Sequence, residues 1–215
     1  MRSKGKQKGS AFERKICKQL SLWISAGKRE DLFWRSAMSG GRATVGRKSG
    51  KDHAKHAGDI TATDPEGHAL TDAWYVECKT YKDLFIMAGM LSGTGLLAKF
   101  WRETCDQATH YKRMPMLIAH QNQQPTIVLV PTAHLLNPYG SALYPKAHLG
   151  RFTQLRADVL EFEGMLKLPF AARESRIIHP FLKPGELEHI LGPQTRPSTK
   201  PAVVRQRLPI KRERL

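Results

Sequence analysis

Hydrophobic positions along this chain recur with two different periods, and the switches between them mark the elements. From Ser10 onward, Phe12, Ile16, Leu20, Trp23 and Ile24 return every three or four residues, as on one face of a helix. Ser10 reads as its N-cap and Gly27 as its C-terminal stop. Residues 32–36 (Leu-Phe-Trp-Arg-Ser) predict a first strand. Two-residue alternation then marks a second strand over 58–63 and a third over 74–80. Asp64-Pro65-Glu66-Gly67 opens their connection with turn chemistry, and the connection is longer than a tight hairpin. Residues 84–95 keep no clear period. Residues 96–111 predict a second helix, with Leu97, Phe100, Trp101, Thr104, Cys105, Ala108 and Tyr111 on one face. The β-rich runs 116–120 and 126–130, split by Gln121-Asn122-Gln123-Gln124-Pro125, read as a hairpin.

The order α-β-β-β-α-β-β places an α/β core over residues 10–131. The flanks read differently. Residues 1–9 carry Arg2, Lys4, Lys6 and Lys8 and are expected to form a flexible basic arm. Residues 132–191 form a C-terminal extension with turns at Pro138 and Pro145. It should hold a strand or helix over 158–168, a short helix after Pro184, and an exposed face made of Asp158, Glu161 and Glu163. Residues 192–215 are rich in Pro and Arg, too poor in apolar residues for a core, and are expected to be a disordered basic tail. No internal repeat is visible.

Charge narrows the partners. The 215 residues carry a formal net charge of +16. A phosphate polymer is the natural counterpart, through counterion release. A membrane is not expected: there is no apolar run of about 18 residues and no basic helix with a bulky apolar face left over for lipid. The first ten residues lack the apolar stretch of a secretory signal. Cys17, Cys78 and Cys105 are odd in number and match neither a zinc site nor a disulfide framework. They read as small core residues of a cytoplasmic protein.

The candidate chemistry lies in strands two and three. Alternation puts Glu77 and Lys79 on one face and Cys78 on the other. Paired as a hairpin, the two strands would bring Asp59 to the same patch. Two carboxylates suit Mg²⁺, and an adjacent ammonium can orient water or steady a phosphate. The plain alternative is a solvated Glu–Lys pair and a turn aspartate. Glu13 falls inside the apolar arc of the first helix, either as a capping-box partner of Ser10 or reaching the metal patch.

Around this centre, Arg14, Arg35, Ser36 and Ser39 are candidate DNA contacts. So are Arg42, Arg47, Lys48 and Lys51 of the Gly-rich, aperiodic segment 39–52. Gln107 and Tyr111, one helical turn apart, are candidates to support the site, with core packing the alternative for Tyr111. The nine histidines, including His53 and His56, lack partners at zinc spacing and read as solvated.

The motifs together resemble the PD-(D/E)xK nuclease superfamily, and among its members the archaeal-type Holliday-junction resolvases most. The matching pieces are Gly9-Ser10-Ala11-Phe12-Glu13-Arg14, Trp34-Arg35-Ser36-Ala37 with Ser39-Gly40-Gly41, Gly58-Asp59, and Val76-Glu77-Cys78-Lys79-Thr80. Gln107 and Tyr111 are similar to the helix motif that follows the core. The resemblance implies a restriction-endonuclease-like fold, a mixed central sheet flanked by helices. It implies Asp59, Glu77 and Glu13 as acidic site residues holding Mg²⁺ (Mn²⁺ as substitute), Lys79 as the catalytic lysine, and products with 5′-phosphate and 3′-hydroxyl ends. It further implies a homodimer cutting symmetric strands of branched DNA. Gly58 stands where the superfamily's name has proline, and nothing after residue 131 has a counterpart. Another nuclease of the superfamily (nicking, restriction or repair type) and a non-catalytic basic binding protein are the alternatives.

Overall fold

The computed structural model describes residues 4–36, 57–132 and 148–167. The expected DNA contacts Ser39, Arg42, Arg47, Lys48 and Lys51, His53 and His56, the helix after Pro184 and the tail 192–215 lie outside the described residues.

Helix α1 runs Lys4–Ile24 and turns out of its last turn at Gly27, whose backbone is left-handed at φ +84°. The stop is where the sequence places it, but the start is not. Ser10 is interior, so it caps nothing, and residues 4–9 are helix rather than arm. Gly5 and Gly9 weaken a helix, and a tertiary contact offsets them: Lys8 Nζ donates to Asn122 Oδ1 at 2.7 Å. The capping-box account of Glu13 falls with the N-cap.

Strands β1 (Phe33–Arg35) and β2 (Ile60–Ala62) pair antiparallel as a two-stranded ribbon. The expected hairpin between the second and third strands does not form. Between them lie a 3-10 turn at Pro65–Gly67 and the short helix α2, His68–Thr71. Strand β3 (Trp74–Tyr81) instead runs parallel to β4 (Met114–Gln121). Helices α3 (Ile86–Ser92) and α4 (Gly95–His110) make the crossover that a parallel pair requires. On α4, the predicted face Leu97, Phe100, Trp101, Thr104, Cys105 and Ala108 is buried. Strand β5 (Ile127–Pro131) pairs antiparallel with β4, the expected hairpin.

The sheet does not end there. Strands β6 (His148–Phe152) and β7 (Ala157–Glu161) complete a five-stranded mixed sheet of order β3-β4-β5-β7-β6, and α5 (Phe162–Leu166) follows. The core therefore extends through residue 161, and a boundary at 131 would cut it. Val159 and Leu160 are buried in it, and so is Asp158, which is not on an exposed face. All three cysteines are buried and free. This is the restriction-endonuclease-like α/β architecture. Among the described residues no helix is long and apolar enough to cross a membrane.

Two helices clothe opposite faces of β3 and β4. On one face Phe12 of α1 stacks on His120 of β4, ring centroids 5.8 Å apart. On the other, Tyr75 stacks on Tyr111 at the end of α4, and Tyr81 packs against Phe100 of α4. The outer edge of β3 is left to the β1–β2 ribbon.

Candidate active site

An edge strand that becomes buried must find partners for its outward amide groups. On β3 the residue just before β2 supplies them. Asp59 N–H donates to Val76 O at 2.9 Å, and Cys78 N–H donates to Asp59 Oδ2 at 2.9 Å. A carboxylate thus takes the place of a neighbouring strand's carbonyl. On its other side Asp59 O accepts Ser36 N–H at 2.8 Å, which ties the end of β1 to the same point. Gly58 allows the approach. Its φ is +87°, and a Cβ there would lie 2.6 Å from Val76 O. Proline, with φ fixed near −65°, cannot hold this backbone, which accounts for glycine at the position.

The face of β3 toward α4 carries the other two groups. Lys79's ammonium pairs with Glu77 Oε1, and Tyr75 O–H donates to Glu77 Oε2 at 3.3 Å. The Tyr75 ring lies parallel to Tyr111, centroids 5.9 Å apart. Lys79 Nζ also sits 5.4 Å from the centre of the Phe100 ring, within cation–π range. The opposite face holds buried Trp74, Val76 and Cys78, as alternation predicts.

The charges of the three groups act on one another. Burial and then the charge of Glu77 raise the Asp59 pKa well above a free carboxylate's, while Lys79 and the Cys78 amide oppose the rise. Burial works to lower the Lys79 pKa, but Glu77, Asp59 and the bond to Glu77 together outweigh it and the net shift is upward. The two carboxylates thus favour the protonated form of Lys79. The Tyr75 hydroxyl is pushed up by burial, Glu77 and Asp59, and stays a donor.

Glu13 stands at the margin. Its carboxylate accepts from Arg35 Nε at 2.8 Å, so Arg35 bridges α1 and β1 rather than standing clear for DNA. Glu13 contributes to raising Asp59, and it also helps push buried Cys17 to about 12, after desolvation. Arg14 is exposed on α1. Ser36 is buried, and its backbone amide donates to Asp59 O. Gln107 is half-buried, and Tyr111 reaches the site through Tyr75. Sequence reasoning missed Tyr75, although its signal was available: it is two residues before Glu77 on the same strand, hence on the same face.

Among the described residues no three His, Cys, Asp or Glu side chains converge as a ready cation cage. The carboxylates at hand are those of Asp59 and Glu77, the second raising the pKa of the first. That set fits Mg²⁺, which keeps several waters and takes one or two carboxylates plus phosphate oxygens.

An acidic residue docked on the edge of a strand that carries Glu-x-Lys, within this fold, defines a nuclease of the PD-(D/E)xK type. Comparison with protein families agrees. A family described as "Phage putative PDDEXK endonuclease" matches residues 4–160, and the chain belongs to that family. A nuclease family implies DNA as the substrate. No curated protein and no solved structure matches the chain.

Proposed function

We propose that this chain is a Mg²⁺-dependent DNA endonuclease that cuts branched DNA as a homodimer, with Mn²⁺ able to substitute. The observation that supports the metal-dependent reading most is the bond by which Cys78 N–H holds the Asp59 carboxylate against the strand bearing Glu77 and Lys79. Junction selectivity and the dimer rest on the resemblance of residues 9–131 to resolvases.

Asp59 and Glu77 would hold the ion. When bound it would supply Lewis-acid polarisation of the phosphate and a more acidic water. The protein's own groups do the rest. Lys79, protonated and only partly exposed, turns from Glu77 toward a phosphate oxygen and offsets the charge that develops there. Tyr75 keeps the Glu77 carboxylate oriented while Lys79 is engaged elsewhere. Glu13 adds negative field from α1. Water oxygen bonds to phosphorus and the P–O3′ bond breaks. The water's proton ends on the leaving oxygen, giving 5′-phosphate and 3′-hydroxyl ends.

The test is a cleavage assay on a four-way junction, a linear duplex and single strands, each with Mg²⁺, Mn²⁺ or EDTA. Paired symmetric nicks on the junction in either metal, and none in EDTA, are expected. Lys79→Ala should lose roughly 10²–10³-fold in rate while binding the junction within about twofold of wild type. Cutting confined to duplex or single strands would assign another nuclease of the superfamily. Salt-sensitive binding with no cleavage, or wild-type cutting by Lys79→Ala, would sink the proposed mechanism.

A further inference from the structure

We propose that Trp34 is a stacking platform for an unpaired nucleobase beside the phosphate that is cut. The proposal rests on the nuclease reading and adds to it the structural class of DNA recognised.

The argument starts from strand pairing. Phe33 pairs with Ala62, Trp34 with Thr61 and Arg35 with Ile60. Phe33 and Ile60 are buried, and Arg35 reaches Glu13 on α1. Alternation therefore turns Trp34 away from α1, and it is 57% exposed. The same register runs one step further, where Ser36 N–H meets Asp59 O. Trp34 is two residues from that point, about 7 Å along the strand. Successive charges on one strand of a DNA helix are about 3.4 Å apart along its axis, so residue 34 lies about two nucleotide steps along the strand from Ser36, whose amide meets the site's buried aspartate.

Of the chain's other three tryptophans, Trp23 packs partly buried against the core, and the remaining two show what an indole does here when its role is structural. Trp101 is fully buried and donates Nε1–H to Leu155 O at 3.1 Å. Trp74 is buried on β3. Trp34 has neither burial nor, among the described residues, a stacked ring or a hydrogen-bonded indole. Its cross-strand neighbour is Thr61, and more than half of the Trp34 surface is exposed. Every base has a π-face, and in a paired duplex those faces are already stacked. A base at a gap, end or branch point offers a free one.

The experiment measures binding without turnover, in EDTA, of a single-stranded oligonucleotide and of a fully paired duplex with the same number of phosphates. Trp34→Ala should weaken single-strand binding roughly 5- to 150-fold and duplex binding less than about twofold, with Trp34→Phe in between. Tryptophan emission should be quenched by the single strand in wild type, and most of that quenching should vanish in Trp34→Phe. Equal affinity of Trp34→Ala and wild type for single strands, equal losses on both DNAs, or unchanged quenching in Trp34→Phe overturns the proposal. So does a change in sedimentation of Trp34→Ala, which would place the indole between protein copies. Mg²⁺-dependent cleavage by wild type is scored separately. Wild-type cleavage with no Trp34 effect removes the platform and keeps the nuclease; quenching without cleavage does the reverse.

Discussion

The two ends of the sheet each bury an aspartate, and they handle it in opposite ways. At the far end Asp158 on β7 is 0% exposed and fully answered. Arg151, directly opposite on β6, donates Nε–H to Oδ1 at 2.7 Å and Nη2–H to Oδ2 at 3.2 Å, with His148 Nε2 3.3 Å away. At the near end Asp59 is 6% exposed but receives one backbone amide on Oδ2 and has another carboxylate, Glu77, for a neighbour. Charge with charge is how a fold secures an aspartate for its own sake. At the near end the cation beside the two carboxylates is Lys79, which pairs with Glu77 and offsets the repulsion on Asp59 only in part.

The largest effect should come from removing the charge at the near end. Asp59→Asn keeps the shape and an oxygen for the Cys78 N–H bond. It should cut cleavage by about 10³-fold or more, since metal-assisted charge stabilisation amounts to several kcal/mol. It should also stabilise the metal-free protein. Because the folded-state pKa of Asp59 is raised, the native chain holds that proton more tightly than the unfolded chain does. Wild-type stability therefore falls as pH climbs from the ordinary 3.8 toward the raised value. Asparagine has no such penalty. Its advantage should be absent below the ordinary carboxylate pKa and complete above the raised one, reaching roughly 2–5 °C in melting temperature at pH 8. Melting curves in EDTA from pH 3.5 to 8 decide it. A variant less stable than wild type at pH 8 would erase the contrast between the two ends.

Asp158→Ala is the mirror experiment. It removes charge-assisted bonds that hold β6 to β7, and should lower stability by about 2–3 kcal/mol. Arg151 is partly exposed and can return to water, which limits the loss. Cleavage per folded molecule should stay within about twofold of wild type. Denaturant titration combined with cleavage at a temperature where the variant is fully folded separates the two effects. Cleavage that collapses while folding is intact would mean that Asp158 also serves the reaction.

How these two aspartates read in the sequence shows where pattern reasoning succeeds. Glu77 and Lys79 share a short segment, so strand alternation alone places them together. The α4 face from Leu97 to Ala108 was legible for the same reason, a long stretch with one period. Asp59 was placed beside them for the wrong reason. No β2–β3 ladder exists, and the link is a side-chain bond across the edge of a sheet, which no periodicity encodes. Asp158 was misread because its alternation with Glu161 and Glu163 resembles an exposed face, and its answering charge Arg151 lies on a strand with a bulge at Gly150. The start of α1 was missed because its anchor, Asn122, is 114 residues away.

The smallest effect, and the sharpest probe of the near end, is Tyr75→Phe. The substitution removes one hydroxyl and leaves the ring free to stack on Tyr111. The bond lost, Tyr75 O–H to Glu77 Oε2, is long at 3.3 Å, so its contribution belongs at the low end of about 0.5–1.5 kcal/mol. Glu77 then loses a donor that keeps it oriented for a cation. The Mg²⁺ concentration giving half-maximal cleavage should rise about two- to fivefold, the ratio that such an energy implies. The rate at saturating Mg²⁺ should change less. The thermal stabilisation that Mg²⁺ confers should shrink in step, a readout that does not depend on turnover. Asp158→Ala should show the wild-type Mg²⁺ dependence in both measurements, because its carboxylate answers to Arg151 and to no ion. If Tyr75→Phe lowers the saturated rate but leaves the Mg²⁺ midpoint and the thermal shift untouched, the hydroxyl acts on the reacting phosphate and not on Glu77's readiness for metal.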